Sequence, residues 1–412
     1  MTRVMIAGSG HAGLGVATAL LAAGVEVDVF TTHTTEELLA GQPRLTQLTF
    51  PTVHGLERKA GLDFWDQIAP VFSRIGFTVA PGGAERQSFT GRQDALGTAV
   101  DHRAKTANWL QEVERRGGRI RVQTVTGQAL AWFASSGMYD LVVVATGDSD
   151  PHLAPLFPVR GGARADAVRA VVQAHFEGAP PGPDVQVVTT PFGEVFTYPV
   201  LTANGDPSFP EVYPATCVQI YARRGGRLDP GSEGIGAGRR AEHLQRLWDF
   251  AARALDTYTP DLAEWCAGAD MVARSALLRH VRPVARRPVA VIGGTPVLGV
   301  GDAVLTVDPT SGQGANASTL AAATVAGAIT ERLGRGGPLA DAAFLEGAYA
   351  AYWERHGRFT SLFSELVTDF WSGALPAHVP ERFGRNFTDQ AQADRMVVGW
   401  DDPSTLGWLL DP

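Results

Sequence analysis

The strongest constraint on this chain is a pair of glycine-rich turns at opposite ends of the sequence. The first, Gly8-Ser9-Gly10-His11-Ala12-Gly13, follows directly on the apolar run Val4-Met5-Ile6-Ala7. The second follows the apolar run Val289-Ala290-Val291-Ile292. It reads Gly301-Asp302, then Val307-Asp308-Pro309-Thr310-Ser311-Gly312-Gln313-Gly314-Ala315-Asn316. A small-residue helical pattern continues from Ala315 to Ile329. Strand, glycine loop and helix in that order set backbone N–H groups and a helix N-terminus beside an anion.

A lone G-x-G-x-x-G is a weak signal, but one that opens at residue 8 inside a βαβ pattern and has a distant G-D…P-x-x-G-Q-G-A-N partner is specific. Gly8 permits the tight turn, Gly10 lets the backbone reach a pyrophosphate, and Gly13 lets the helix pack against the strand. Asp302 is placed to bond a ribitol or ribose hydroxyl. Gly312 and Gly314 remove side chains where a flat ring must approach. The fold expected is α/β: a glutathione-reductase-like Rossmann FAD-binding fold, with an inserted antiparallel-sheet substrate domain and a C-terminal helical segment. Residues 1–150 and 285–335 form the FAD-binding domain, about 45–100 contributing to the substrate side. Residues 151–284 form the substrate domain and 336–412 the helical segment.

The 412 residues suffice for two or three subdomains, with 45% apolar and 19% charged residues as in globular proteins. A net charge of −8 argues against nucleic acid or an anionic membrane as partner. Cys217 and Cys266 are far apart and in no C-x-x-C, so neither a disulfide framework nor a metal site is expected. The first strand starts too early to leave room for a signal peptide, and no apolar run approaches the roughly 18 residues of a membrane span. A cytoplasmic location is expected.

Along the chain, helix Ala12–Ala23 ends at Gly24, and a second strand runs Val25–Phe30. That strand continues Thr31-Thr32-His33, where an adenosine-ribose grip would ordinarily use Glu or Asp. Thr31 or Thr32 supplies only a weaker bond, which suggests a flavin held less firmly than a resident cofactor. Residues 41–58 begin as a loop and become a helix. Arg44 is either a ligand to flavin phosphate or ring or a surface arginine, and Gln47 is either a pocket group or part of an exposed strand face. Arg103 opens a helix over Ala104–Arg115 and is expected to point at the first glycine turn. Arg119–Val125 supplies backbone, including Val125, to adenine. Tyr139–Gly147 reads as a buried parallel strand whose Thr146-Gly147 passes close to the dinucleotide. Residues 165–223 alternate as an antiparallel sheet, and 223–240 read as a loop. Ala241–Leu255 is an amphipathic helix with Trp248 in its core face, and Leu339–Trp371 is helical.

Absences sharpen this reading. After the A-T-G strand comes Asp148-Ser149-Asp150-Pro151, with no arginine until Arg160, and no second G-x-G-x-x-G follows a strand. A nicotinamide site is therefore not expected. The lack of W-x-W-x-I-P speaks against a flavin halogenase, and the lack of C-x-x-C against a disulfide reductase.

These residues resemble the oxygenase component of two-component styrene and indole monooxygenases, the group E flavoprotein monooxygenases, over nearly the whole chain. The matching segments are Gly8–Gly13, Arg44-Leu45, Ala99-Val100-Asp101-His102-Arg103, Gly193-Glu194, Gly301-Asp302, Val307-Asp308-Pro309, Gly312–Asn316, Asn386-Phe387 and Gly407-Trp408. The resemblance implies an enzyme that receives FADH2 from a separate NADH:flavin reductase through transient contact. It forms the C4a-hydroperoxide with O2 and delivers one oxygen to an aryl alkene, indole or sulfide. NADH would act only through the reductase, and a homodimer is expected. Styrene-type members resemble each other in Asn-x-Val-x-His after R-L, and indole-type members in Ser-x-Gln-x-Met. This chain has Gln47-Leu48-Thr49-Phe50-Pro51, which meets neither pattern.

The residues expected at the flavin are Gly8, Gly10, His11, Ala12, Gly13, Arg44, Arg103, Val125, Thr146, Gly147, Asp302, Pro309, Gly312, Gln313, Gly314, Ala315 and Asn316. Gln47, Pro309 and Gly312 are the expected positioning groups for catalysis, and Gln47, Thr49 and Pro51 the substrate contacts. No metal ligands are expected. A saturase or dehydrogenase of the same fold and a non-catalytic flavin-binding protein remain alternatives.

Overall fold

The computed structural model describes residues 2–82, 85–148, 153–160, 167–180, 182, 184–206, 211–235 and 241–411. The chain opens β1 (Arg3–Ala7), α1 (His11–Ala22), β2 (Glu26–Thr31), α2 (Thr35–Leu39), β3 (Leu48–Thr49) and α3 (Pro51–Lys59). There follow β4 (Val71–Gly82), β5 (Glu85–Ala99), α4 (His102–Arg115), β6 (Arg119–Val122), α5 (Gly127–Ser135) and β7 (Leu141–Val144). The middle holds β8 (Arg169–Phe176), β9 (Val185–Thr190), β10 (Gly193–Ala203), β11 (Val212–Arg223), α6 (Ala241–Tyr258), α7 (Pro260–Gly268) and β12 (Leu277–Val281). The last third holds β13 (Val284–Ala285), β14 (Val289–Ile292), β15 (Thr295–Gly299), β16 (Leu305–Thr306), α8 (Gly314–Gly334), α9 (Ala342–Tyr352), α10 (Arg358–Asp369), α11 (His378–Gly384), α12 (Gln390–Asp401) and α13 (Gly407–Leu410).

Two sheets organise these elements. The first has strand order β14-β15-β7-β1-β2-β6, parallel from β15 to β6 with β14 antiparallel at the edge. Its central strands β1 and β7 are continuous apolar runs, as a parallel strand covered on both faces requires. Helices α1 and α8 pack together beside it, through Gly15, where an added Cβ would lie 3.1 Å from Ala322 Cβ.

The second sheet has eight strands in the order β12-β8-β11-β10-β9-β4-β5-β3, antiparallel except where β4 meets β9. Alternation divides its two faces. Ala170, Val172, Ala174 and Phe176 of β8 join a core under α6 and α7, and Trp248 packs on Phe176 there. Val171, with Phe196 and Tyr198 of β10, turns to the opposite core, which the C-terminal helices cover. Between α9 and α10 the helix widens into one π turn, Trp353–Gly357.

The α/β fold class expected from sequence is borne out, as a parallel-strand sheet beside an antiparallel one. The strand expected to reach Val125 ends at Val122, and β2 extends one residue further than expected, to Thr31. The stretch 149–152, where the arginine was missing, and the glycine loop 236–240 lie outside the described residues.

Candidate active site

A cavity of about 420 Å3 opens at the carboxyl ends of β1, β2, β6, β7 and β15. This is where an open parallel sheet holds its ligand, because the loops leaving the strands diverge there. Eleven of the residues expected at a flavin line it: Gly8, Gly10, His11, Ala12, Arg44, Val125, Thr146, Gly147, Asp302, Gly314 and Ala315. The two glycine turns, far apart in sequence, face one space.

Local geometry suits an anionic dinucleotide. Gly10 caps helix α1 and has no side chain to bond its first amides, which are left for a ligand. A Cβ added at Gly10 would meet no atom within 4 Å, so packing does not require glycine there and the open space belongs to the cavity. At Gly8, by contrast, φ is +114° and an added Cβ would lie 2.2 Å from Ala145 O. The hydroxyl of Thr146 is buried in the cavity wall with no protein partner. At the end of β2, Ser9 Oγ and Thr31 Oγ1 bond each other at 2.8 Å where an acidic residue would ordinarily stand.

Electrostatics follow from burial. His11 and His102 meet edge to face with centroids 4.6 Å apart. Burial first and Arg44 second hold His102 down at about 3, and burial first and the adjoining His102 second hold His11 well below its ordinary value, so both rings are neutral near pH 7. Burial first, and Asp148 second, push Asp302 up to about 7 against the pull of Arg279. Arg279 is ion-paired with Asp148.

Gln47 is a pocket group. It lines the cavity, and its Oε1 accepts from Ala315 N–H at the start of α8. The loop carrying it is clamped through Thr46. Thr46 N–H donates to Gln173 Oε1 at 2.8 Å; Tyr198 OH and Gln219 Nε2 donate to Thr46 O at 3.0 and 2.9 Å. Gln173 Nε2 reaches Arg44 O at 3.2 Å, and His175 Nε2 meets Thr46 Oγ1 at 3.1 Å. The eight-stranded sheet, the roof of the site, therefore fixes the loop that presents Arg44 and Gln47.

Several expected ligands are elsewhere. Arg103 is fully buried away from the cavity, where it binds Asp101 through Nη2 at 2.7 Å and donates to Ala203 O and Arg274 O. His102, one residue earlier on α4, lines the cavity instead. Asn316 turns inward to Phe50 N–H, Leu48 O and Gly312 O, and Gln313 Nε2 donates to Trp400 O. These two hold the turn without lining it. Gly13 likewise serves packing, since an added Cβ would lie 2.2 Å from Gly8 O. Thr49 accepts from Lys105 Nζ at 3.0 Å in a buried cluster with Glu57, and Pro51 is the first residue of α3; neither lines the cavity. Pro309 and Gly312 border a smaller space of about 50 Å3 that shares Gln47, Asp302 and Gly314 with the main cavity. Its other wall is Phe196, Tyr198, Tyr221 and Val281 of the roof sheet. These aromatic residues, and Arg279, were missed from sequence because only long-range strand pairing brings them to the site.

No family model matches the chain. It is 28% identical over 331 residues to styrene monooxygenase StyA of Pseudomonas sp, a match spanning 78% of this chain and 75% of that one. The resemblance to the oxygenase component of two-component monooxygenases is borne out by this match. Among solved structures, the flavin-dependent brominase Bmp2 superposes with a TM-score of 0.71 at 14% identity, covering 100% of this chain and 95% of that one. CmlS, a flavin-dependent halogenase, superposes with a TM-score of 0.66 at 16% identity, covering 96% of this chain and 70% of that one. At such identities the likeness is one of fold, which agrees with the glutathione-reductase-like FAD-binding architecture.

Proposed function

We propose that this chain is a flavin-dependent monooxygenase. It takes reduced FAD from a separate NADH:flavin reductase and transfers one oxygen atom of O2 to an aryl alkene, an indole or a sulfide. The observation that carries this reading is the single cavity bordered by both glycine turns, with hydroxyls in place of an acid at the end of β2. The uncapped amides of α1 would hold the pyrophosphate, and Asp302 a ribityl hydroxyl. Thr146 would give its unpartnered hydroxyl to the same ligand. The Ser9–Thr31 pair offers no charged acceptor to an adenosine ribose, which suits a flavin that arrives and leaves.

Reduced FAD, when bound, supplies the electrons that activate O2 and so the oxygen atom that reaches the substrate. The protein's part is positioning and dryness. Gly312 and Gly314 leave room beside the backbone, and Gln47 holds the start of α8 through Ala315 N–H. Phe196, Tyr198, Tyr221 and Val281 close the opposite side against water. The neutral His11 and His102 put no extra cation in the cavity wall.

The test is to supply a flavin reductase, NADH and FAD and to screen styrene, indole and thioanisole. An epoxide, an oxidised indole or a sulfoxide formed only with the complete system is expected. Flavin turnover with none of these products would overturn the reading.

A further inference from the structure

The turn that carries Pro309 and Gly312 is held from behind by groups that line neither the flavin cavity nor the smaller space beside it. Asp308 is the hub, and it is fully buried. Its Oδ1 accepts from Thr310 N–H at 3.0 Å and from Thr310 Oγ1 at 2.6 Å. Its main-chain oxygen accepts from Ser311 N–H at 3.0 Å and from Ser311 Oγ at 2.7 Å. These bonds close the turn, which ends at Gly312 with φ +67°.

Asp308 has a second set of partners that closing the turn does not need. Arg169 of β8 donates from Nε to its Oδ2 at 2.8 Å, and Thr368 Oγ1 of α10 meets the same oxygen at 2.9 Å. Asp308 N–H donates to Ser364 Oγ, also on α10, at 2.7 Å. Arg169 in turn faces Glu194 of β10 at 3.2 Å, and Arg223 of β11 faces the same carboxylate at 3.6 Å. Arg223 Nη1 then donates to Thr368 O at 2.8 Å, which closes the circuit on α10. Two cations and two anions balance here, and Arg169, Glu194 and Asp308 are all buried. Such a cluster adds little net stability, but any other arrangement would leave a buried charge unpaired, so it holds its members in one geometry. What it fixes is where the turn stands against the sheet and α10.

We infer that Arg169, Asp308 and Thr368 are positioning residues, which hold the Pro309–Gly312 turn at a set distance from the bound flavin ring. Resting on the function proposed above, they govern how much of the oxygen activated at that ring reaches the substrate. Helix α10, about sixty residues further along the chain, thereby becomes part of the site.

The test compares wild type, Thr368→Val, Thr368→Ser and Arg169→Lys as full chains. Amide hydrogen exchange of the flavin-free protein reads the turn at Ser311 and Gly312, whose N–H groups bond Asp308 O and Pro309 O. Thr368→Val should speed exchange there about fivefold, the equivalent of one lost hydrogen bond, and Thr368→Ser should restore it. With a reductase, NADH and FAD supplied, product formed per reduced FAD consumed should fall about threefold in Thr368→Val, with hydrogen peroxide making up the difference. Serine should again restore it. Arg169→Lys keeps the charge without the Nε contact and should behave as Thr368→Val does; should it fail to fold, Thr368→Val decides alone. A lowered thermal midpoint with exchange at the turn unchanged is a purely structural role and overturns the inference. Unchanged product per flavin in a folded variant, when wild type oxygenates styrene, indole or thioanisole, overturns it too and leaves the monooxygenase reading standing. A wild type that reoxidises reduced FAD with no oxygenated product overturns the monooxygenase reading. Exchange then decides the clamp: faster in the valine variant and restored by serine supports it, and unchanged overturns it.

Discussion

At the scale of single residues, Asp302 governs how the cavity responds to pH. Its carboxyl is raised to about 7, chiefly by burial, so the free protein keeps a proton there that the unfolded chain would lose at lower pH. The stabilisation this gives is present in acid and is lost as pH rises toward 7. A ligand hydroxyl donating to the carboxylate favours the charged form, so binding expels the proton. FAD affinity should therefore rise from about pH 6 to about pH 8 and then level off, and Asp302→Asn should flatten that rise. Equilibrium dialysis across this range checks it; an equal slope in the variant would remove Asp302 from the contact. Arg103 makes the opposite case. It neutralises buried Asp101, so Arg103→Ala should cost about 3–5 kcal/mol in chemical denaturation while FAD affinity of the folded protein holds. Full stability with lost FAD binding would restore Arg103 to the site. A sequence reveals that a helix starts near Asp101, which accepts from Arg103 N–H as its cap. It does not reveal which of two neighbouring residues faces the cavity, because one step along a helix turns a side chain by about a quarter of a circle. His102 faces it and Arg103 does not.

At the scale of elements, what local pattern dictates was legible, and what distant pairing dictates was not. β1, α1, β7 and α8 each carry their own signal, in continuous apolar runs, small-residue faces and glycines at the turns. Gly8 is the sharpest of these. Its φ of +114° and the 2.2 Å approach of an added Cβ to Ala145 O tie the first turn to the end of β7. Gly8→Ala should destabilise the fold by about 1–3 kcal/mol from backbone strain alone, and should weaken FAD binding. Wild-type affinity would contradict this. The clamp on Thr46 was invisible, because Gln173, Tyr198 and Gln219 converge only when β8, β10 and β11 pair. Gln173→Leu leaves Thr46 N–H without its acceptor and Arg44 O without its donor, at about 1–3 kcal/mol for each buried group. With the loop released, the KM for reduced FAD should rise more than kcat falls. An unchanged KM would mean that the loop holds its place without the roof sheet.

At the scale of the whole molecule, the two sheets divide the work. In the proposed function the parallel sheet presents the ends of its strands and the N-terminus of α1 to a dinucleotide. The antiparallel sheet covers the far side with aromatic residues and clamps the loop between them. No helix among the described residues is long and apolar enough to cross a membrane. The account requires electrons to arrive already on the flavin. The most direct measurement mixes the purified protein, without a reductase, with chemically reduced FAD and styrene under 18O2. The account predicts styrene oxide carrying one 18O atom, with no NADH consumed when NADH replaces reduced FAD. Reduced FAD that reoxidises without labelled product, or styrene-dependent NADH oxidation by the isolated protein, would contradict it.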